Sequence, residues 1–238
     1  MSDPLLIELL IYLITGAFVG VAAGLLGIGG GLLIVPVLTA VFAVYLDTTE
    51  VVHLAIGTSL ATIIVTSFSS VRAHQKHGAV RWDAFKLLAI GVLAGAFLGG
   101  WSSQFVASKH LGMIFGILEM LIAINMLLAI KPNPSRQLPG LPGNIAAGTV
   151  IGSLSSLVGI GGGTLTTPYL VWNNISIHQA IATSTAVSLP VAIAGTIGYV
   201  VAGSGAEDLP AYTSGFIYWP AFFGIILASY FTAPIGAK

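Results

Sequence analysis

Long apolar stretches separated by short polar segments dominate the chain. Five of these stretches have the length of about 20 residues that a helix needs to cross the hydrocarbon core of a bilayer. They run near residues 52–71, 84–103, 110–130, 179–202 and 216–236. The pattern therefore predicts five transmembrane helices.

Two further apolar stretches, residues 5–45 and 143–171, have a different pattern. Each contains the sequence GIGGG followed by a proline. A straight helix of about 40 residues would be about 60 Å long, which is twice the thickness of the hydrocarbon core. Glycine weakens a helix, and proline disfavours helix at the residue before it. We therefore expect each stretch to form a hairpin of two helical arms joined at GIGGG.

The two GIGGG stretches belong to a longer internal repeat. Residues 16–38 align with residues 148–170 without a gap, and two later blocks align in the same order. These are HLAIGTSLA from His53 with HQAIATSTA from His178, and GAVRWDAF from Gly78 with GFIYWPAF from Gly215. Shared helix-packing chemistry could explain one glycine-rich block, but three ordered blocks indicate a duplication.

The repeat divides the chain into residues 1–130, a proline-rich linker at 131–143, and residues 144–238. Residues 110–130 of the first repeat have no counterpart in the second. We therefore expect an all-α integral membrane protein of two repeats, each a glycine-broken hairpin plus about three transmembrane helices. The last helix of the second repeat is expected to be absent.

Charge is sparse and unevenly placed. Charged residues make up 7% of the chain, against about 25% in soluble proteins, and seven of the eight basic residues lie between residues 72 and 136. Cytoplasmic loops are enriched in Lys and Arg, so the 72–81 loop and the linker are expected inside. The matching 203–214 loop has two acids and no base, which places it outside and makes the repeats inverted. In the alternative, parallel repeats would put this acidic loop in the cytoplasm.

The glycine clusters are the candidate binding site. A glycine run exposes backbone N–H groups, and the arm that follows it begins with the positive end of its helix dipole. Two such ends would attract an anion without a buried cation. The predicted site residues are Gly29, Gly30, Gly31, Gly161, Gly162 and Gly163. In the alternative, these glycines only permit close helix packing.

Hydroxyl groups near the two clusters could complete the site. Thr58 and Ser59 align with Thr183 and Ser184 near the start of the next helix in each repeat, and Thr164 follows the second cluster only. Such hydroxyls can donate hydrogen bonds to an oxyanion. They can equally bond the carbonyl one turn back in their own helix.

Three residues are candidates for proton coupling: Glu119, His53 and His178. Glu119 is an acid within an apolar helix, a position that is usually functional in membrane proteins. The two aligned histidines could titrate, although an interfacial histidine more often bonds a neighbouring carbonyl.

The composition and motifs of the sequence give no support to several functional classes. The net charge is zero, which favours no nucleic acid, and there is no cysteine. No H-E-x-x-H or G-x-S-x-G motif occurs. We expect no enzyme, no metal site and no cofactor.

The paired motifs GLLGIGGGLLIVP and SLVGIGGGTLTTP, the AIGTSL and AIATST helix starts and the HQKHGAVRW loop together carry a family resemblance. At these residues the chain resembles the sulfite exporter TauE/SafE family. The resemblance implies a multi-pass transporter of the bacterial inner membrane that moves sulfite, sulfoacetate or other organosulfonates. Alternating access with proton coupling is the expected mechanism; an anion channel or a membrane scaffold or enzyme subunit are the alternatives. Family members usually finish with a further helix, from which the end at Lys238 departs.

Overall fold

The computed structural model describes residues 4–26, 30–76, 78–127 and 137–236, and nearly all of them are helical. The first half contains α1 (Pro4–Leu26), α2 (Gly31–Tyr45), α3 (Val51–Lys76), α4 (Trp82–Ser102) and α5 (Ser108–Leu127). The second half contains α6 (Leu141–Leu157), α7 (Gly163–Trp172), α8 (Ile177–Gly203) and α9 (Trp219–Gly236). Strands β1 (Thr213–Ser214) and β2 (Ile217–Tyr218) form a short antiparallel ribbon before α9.

The helices confirm the predicted all-α membrane protein. In the described part of the chain, α3, α8 and the segment Trp82–Phe105 are long and apolar enough to cross a membrane, and α1, α2 and α9 contain shorter apolar segments. Phe18, Ile90 and Leu227 on the peripheral helices are more than half exposed. Apolar side chains can remain exposed there because lipid tails are as apolar as they are.

Both predicted hairpins are broken at the glycine cluster. α1 ends at Leu26 and α2 begins at Gly31, while α6 ends at Leu157 and α7 begins at Gly163. Gly30 and Gly162, which are aligned in the repeat, precede α2 and α7 with φ of 87° and 80°. A residue with a Cβ rarely adopts this left-handed conformation, so glycine permits the chain to turn at both points.

The ends of each hairpin return to the same side of the molecule. The hydroxyl of Tyr169, near the end of α7, donates a hydrogen bond of 2.8 Å to Oδ1 of Asn144, near the start of α6. In the first hairpin, Phe42 near the end of α2 packs on Tyr218 with ring centroids 5.3 Å apart, and Tyr12 in α1 lies against Gly224 in α9. The two arms of each segment therefore run back toward one another's start.

The first arm of each hairpin packs against a helix of the other half, α1 against α9 and α6 against α4. A Cβ on Gly20 in α1 would contact Ser229 in α9, and a Cβ on Gly152 in α6 would contact Val92 in α4. In the repeat alignment Gly20 corresponds to Gly152 and Val92 to Ser229. The two helix pairs are therefore equivalent, and the halves interlock.

The central helices α3 and α8, which are counterparts in the repeat, are antiparallel. Leu60 lies against Gly195, whereas Val71, near the end of α3, packs on a cluster that contains Ala182, near the start of α8. Both helices are largely buried. Together they form the centre of the molecule.

The counterparts α4 and α9 also run in opposite directions. The backbone N–H of Arg81, just before α4, bonds the hydroxyl of Thr183 near the start of α8. The backbone N–H of Tyr218, just before α9, bonds the hydroxyl of Thr58 near the start of α3. Because α3 and α8 are antiparallel, α4 and α9 begin at opposite ends of the bundle.

Because the helices run in these opposite directions, the acidic and basic loops lie at opposite ends of the bundle. At one end, which we call the acidic end, residues 46–50 meet residues 204–212: the N–H of Thr49 donates to Oδ2 of Asp208 at 2.8 Å. The basic end contains residues 72–76 at the end of α3 and residues 78–81, which precede the start of α4. A helix of 26 residues such as α3 is about 39 Å long, so the two ends are far apart.

Candidate functional site

The two glycine breaks meet at the centre of the bundle. Gly31, the first residue of α2, lies so close to the second break that a Cβ there would overlap the carbonyl oxygen of Gly159. The hydroxyl of Ser59 donates a hydrogen bond of 3.0 Å to the same oxygen. Because no side chain separates Gly31 from Gly159, the two breaks are held together directly.

The predicted site glycines lie in this buried region, except Gly29, which is outside the described residues. Gly30 and Gly31 are buried at the start of α2, and Gly161, Gly162 and Gly163 are buried at the start of α7. No side chain caps the N-terminus of either helix. The first N–H groups of a helix have no partner within the helix, so both ends present donors and the positive end of a dipole.

Thr58 and Thr183 make equivalent bonds between the two halves. The Oγ1 of Thr58 accepts the N–H of Tyr218, and the Oγ1 of Thr183 accepts the N–H of Arg81, each at 2.9 Å. Tyr218 and Arg81 are themselves aligned in the repeat. Each threonine therefore supports the start of a helix of the other half, α9 for Thr58 and α4 for Thr183.

Ser59 and Ser184 also have partners within the protein. Ser59 bonds Gly159, and Ser184 donates to the carbonyl of Ile181 in its own helix at 2.9 Å while accepting from Thr167 at 2.8 Å. The alternative given from sequence, a bond to the carbonyl one turn back, therefore holds for Ser184.

Two further hydroxyls lie beside the second break. Ser155 in α6 and Thr166 in α7 are fully buried, and neither hydroxyl has a hydrogen-bond partner among the described residues. The Oγ1 of Thr164 is likewise buried without a described partner. The repeat alignment distinguishes Ser155 and Thr166, because each is polar at a position where its counterpart, Ala23 or Ile34, is apolar.

His53 is a buried residue at the acidic end, away from the glycine breaks. Its Nε2 lies 3.0 Å from the carbonyl oxygen of Ser103, its Nδ1 lies 2.6 Å from Oε2 of Glu50, and its ring stacks on Phe216. A carbonyl oxygen only accepts, so Nε2 must carry hydrogen. His53 therefore links Glu50, one turn before it, to the end of α4 and to the segment before α9.

The other two predicted proton carriers are not part of this cluster. His178 is exposed at the start of α8. Glu119 is half-buried in α5, and no described side chain pairs with it. The structure therefore does not bring the three proton-coupling candidates together.

Electrostatic attraction at the breaks comes from the backbone. In the described ranges, the charged pairs are Arg81 with Asp83 and His53 with Glu50, and these lie at opposite ends of the bundle. The buried surroundings of the breaks contain hydroxyls and amides in place of charged side chains. Such a centre can bind an anion only through helix ends and hydroxyl donors.

Comparison with known proteins agrees with this architecture. The chain is 36% identical over 234 residues to a probable membrane transporter protein of Haemophilus influenzae, which covers 97% of this chain and 88% of that protein. It is 34% identical over 234 residues to probable membrane transporter protein MJ0441 of Methanocaldococcus jannaschii, covering 97% of this chain and 83% of that protein. No solved structure matches the chain.

The family comparison covers the same length. The profile of the family described as sulfite exporter TauE/SafE matches residues 12–238, which include both glycine breaks, both central helices and both charged ends. The chain thus belongs to the sulfite exporter TauE/SafE family of membrane transporters.

Proposed function

We propose that this transporter moves small sulfur-containing anions, such as sulfite, sulfoacetate or other organosulfonates, across the bacterial inner membrane by alternating access. The observation that supports the proposal is that the two glycine breaks meet at the buried centre, and that each is followed by a helix whose N-terminus has no side-chain cap. The family description names sulfite. An inner-membrane carrier of this kind needs an anion site that neither end of the bundle alone completes.

Backbone dipoles suit a carrier because they bind an anion without fixing it permanently. A buried Lys or Arg would need a partner whenever the site is empty, since an unpaired charge in an apolar interior is costly. Amides and hydroxyls have a smaller desolvation cost than a charge. The empty carrier can therefore cross between its two states.

Inverted repeats supply a route to alternating access. The antiparallel counterparts α3 and α8, and the equivalent bonds of Thr58 and Thr183 at opposite ends, favour a two-fold relation between the halves. A rocking of one half against the other would then open the site first to one side and next to the other. We expect the basic end to face the cytoplasm.

Proton coupling is part of the proposal through His53 and Glu50. The Nδ1 of His53 lies 2.6 Å from Oε2 of Glu50, and the His53 ring stacks on Phe216 of the other half. A change in the protonation of this pair would alter the contact between halves at the acidic end. Glu119 and His178 remain candidates from the sequence.

The test is transport by the purified protein in proteoliposomes. We expect saturable uptake of radiolabelled sulfite above that of empty vesicles, and faster uptake when the vesicles are preloaded with unlabelled sulfite. Sulfoacetate and thiosulfate would be tested as competitors, with and without a pH gradient. Acceleration by preloading is a property of carriers because the loaded carrier returns faster.

Each outcome has a definite meaning. Flux that does not saturate and shows no acceleration would replace the carrier with a channel. No flux of any of the three anions, from vesicles that contain folded protein, would overturn the proposed function. A flux that ignores the pH gradient would remove proton coupling alone.

A further inference from the structure

The surroundings of the two left-handed glycines differ in one chemical respect. At Gly30, a Cβ would have Ala23 Cβ at 3.6 Å and Ile34 Cδ1 at 3.7 Å among its nearest atoms. At Gly162, the nearest atom is Val191 Cγ2 at 3.2 Å, and the Oγ of Ser155, the counterpart of Ala23, lies at 3.7 Å. The counterpart of Ile34 is Thr166. The surroundings are therefore apolar in the first half, whereas the second half adds a hydroxyl beside Val191.

Thr166 lies on the same side of α7 as Gly162. Four residues separate them, and residues four apart share a face of a helix. The N–H of Thr166 bonds the carbonyl of Gly162 at 2.9 Å. Helical side chains also lean toward the N-terminus of their helix, which brings the hydroxyl of Thr166 toward the start of α7.

The hydroxyls of Ser155 and Thr166 are buried without a hydrogen-bond partner among the described residues. Leaving a buried donor unsatisfied costs about 1–3 kcal/mol. Four other such hydroxyls, those of Ser67, Ser70, Thr196 and Ser229, lie in helices away from the start of α7. Ser155 near the end of α6 and Thr166 near the start of α7 lie instead on either side of the second break, next to a helix N-terminus without a side-chain cap.

We propose that the anion binds asymmetrically, at the second break alone, with Ser155 and Thr166 donating hydrogen bonds to its oxygens beside the first N–H groups of α7. The first break, lined by Val19, Ala23 and Ile34, forms the apolar wall opposite. One oxyanion therefore binds per chain. This assignment rests on the proposed function and specifies two of the ligands of its anion site.

A small oxyanion fits this site better than a cation. Hydroxyl oxygens alone could coordinate a sodium ion, but the N-terminus of α7 presents N–H donors and the positive end of its dipole to the same point. A site that offers N–H and O–H donors requires a ligand rich in acceptors. A group with several negatively charged oxygens, such as sulfite or a sulfonate, meets that requirement.

The test compares substitutions in reconstituted protein, with radiolabelled sulfite as the probe. Thr166→Val keeps the shape of the side chain and removes the hydroxyl, and Ser155→Ala does the same at the other ligand. Each lost bond to a charged ligand should raise the KM for sulfite by about tenfold or more. Thr166→Ser, which restores a hydroxyl, should recover most of the affinity.

The control is Thr185→Val, because Thr185 is also buried but bonds the carbonyl of Ile181 in its own helix at 2.9 Å. Its KM should stay near that of the unsubstituted protein. Unchanged KM in both Ser155→Ala and Thr166→Val would overturn the asymmetric site while leaving transport intact. Equal losses from Thr185→Val would also overturn it, because the effect would then be structural. Loss of transport in the unsubstituted protein would instead refute the proposed function.

Discussion

At the scale of single residues, the hydroxyls of Thr58 and Thr183 show that the role of a side chain depends on which distant groups it contacts. Both were predicted as anion ligands because they sit near a helix start beside the glycine clusters. In the structure each accepts a backbone N–H from the other half. The partners lie more than a hundred positions away, so no local pattern could reveal them.

Removal of these acceptors should destabilise the protein. In Thr58→Val the buried N–H of Tyr218 loses its partner, at a cost of about 1–3 kcal/mol. Thr183→Val should cost less, since the bond to Arg81 is only partly buried. The thermal stability of each purified variant in detergent measures both effects.

Serine at the same positions is the matched control, because it keeps the hydroxyl and removes only a methyl group. Thr58→Ser and Thr183→Ser should therefore melt closer to the unsubstituted protein than the valine variants do. Valine variants as stable as the serine variants would show that the bonds across the halves contribute nothing to stability.

At the scale of helices, the glycine stripes of α1 and α6 determine how closely the neighbouring helices approach. The sequence allowed two interpretations of the glycines, close packing or ligand binding. In the structure the glycines fall into two groups. Gly20 and Gly152 pack directly against the backbone of α9 and α4. Gly30 and Gly162 instead allow the chain to turn. The repeat alone did not separate these roles.

Enlarging a packing glycine should force the helices apart. Gly20→Val and Gly152→Val each place side-chain atoms where backbone of the partner helix lies, and such overpacking costs about 1–3 kcal/mol. Because the two contacts are equivalent, we expect losses of similar size in the melting temperature. Gly116→Val in α5 is the control, as its Cβ would meet nothing within 4 Å.

A melting temperature that falls in one variant alone would show that the two helix pairs do not contribute equally. Stability unchanged in both, with Gly116→Val also unchanged, would contradict the close approach of these helices.

At the scale of the whole molecule, the separation of the charged loops is the feature on which inverted repeats depend. Residues 204–212 meet residues 46–50, and residues 72–81 lie at the other end. Charge placement predicted opposite sides for the two matching loops. Which end faces the cytoplasm stays a prediction.

Labelling of single cysteines checks that sidedness, and the chain is suited to it because it contains no cysteine. Gly205→Cys lies in an exposed turn with open space around it, and Gln75→Cys lies at the exposed end of α3. A membrane-impermeant thiol reagent should label Gly205→Cys in intact cells, and Gln75→Cys only after permeabilisation. Labelling of both from the same side would contradict the inverted arrangement.

The sequence by itself determined the membrane class, the helical segments, the breaks at GIGGG and the family, because these depend on local hydrophobicity, on glycine and proline, and on motifs in fixed order. Tertiary structure alone decided what faces the breaks. Hydrogen bonds such as those of Thr58 and Ser59 join residues a hundred or more positions apart, and burial without a partner, as at Ser155 and Thr166, depends on every neighbouring helix. Periodicity cannot encode those contacts, since they arise only when the two halves interlock.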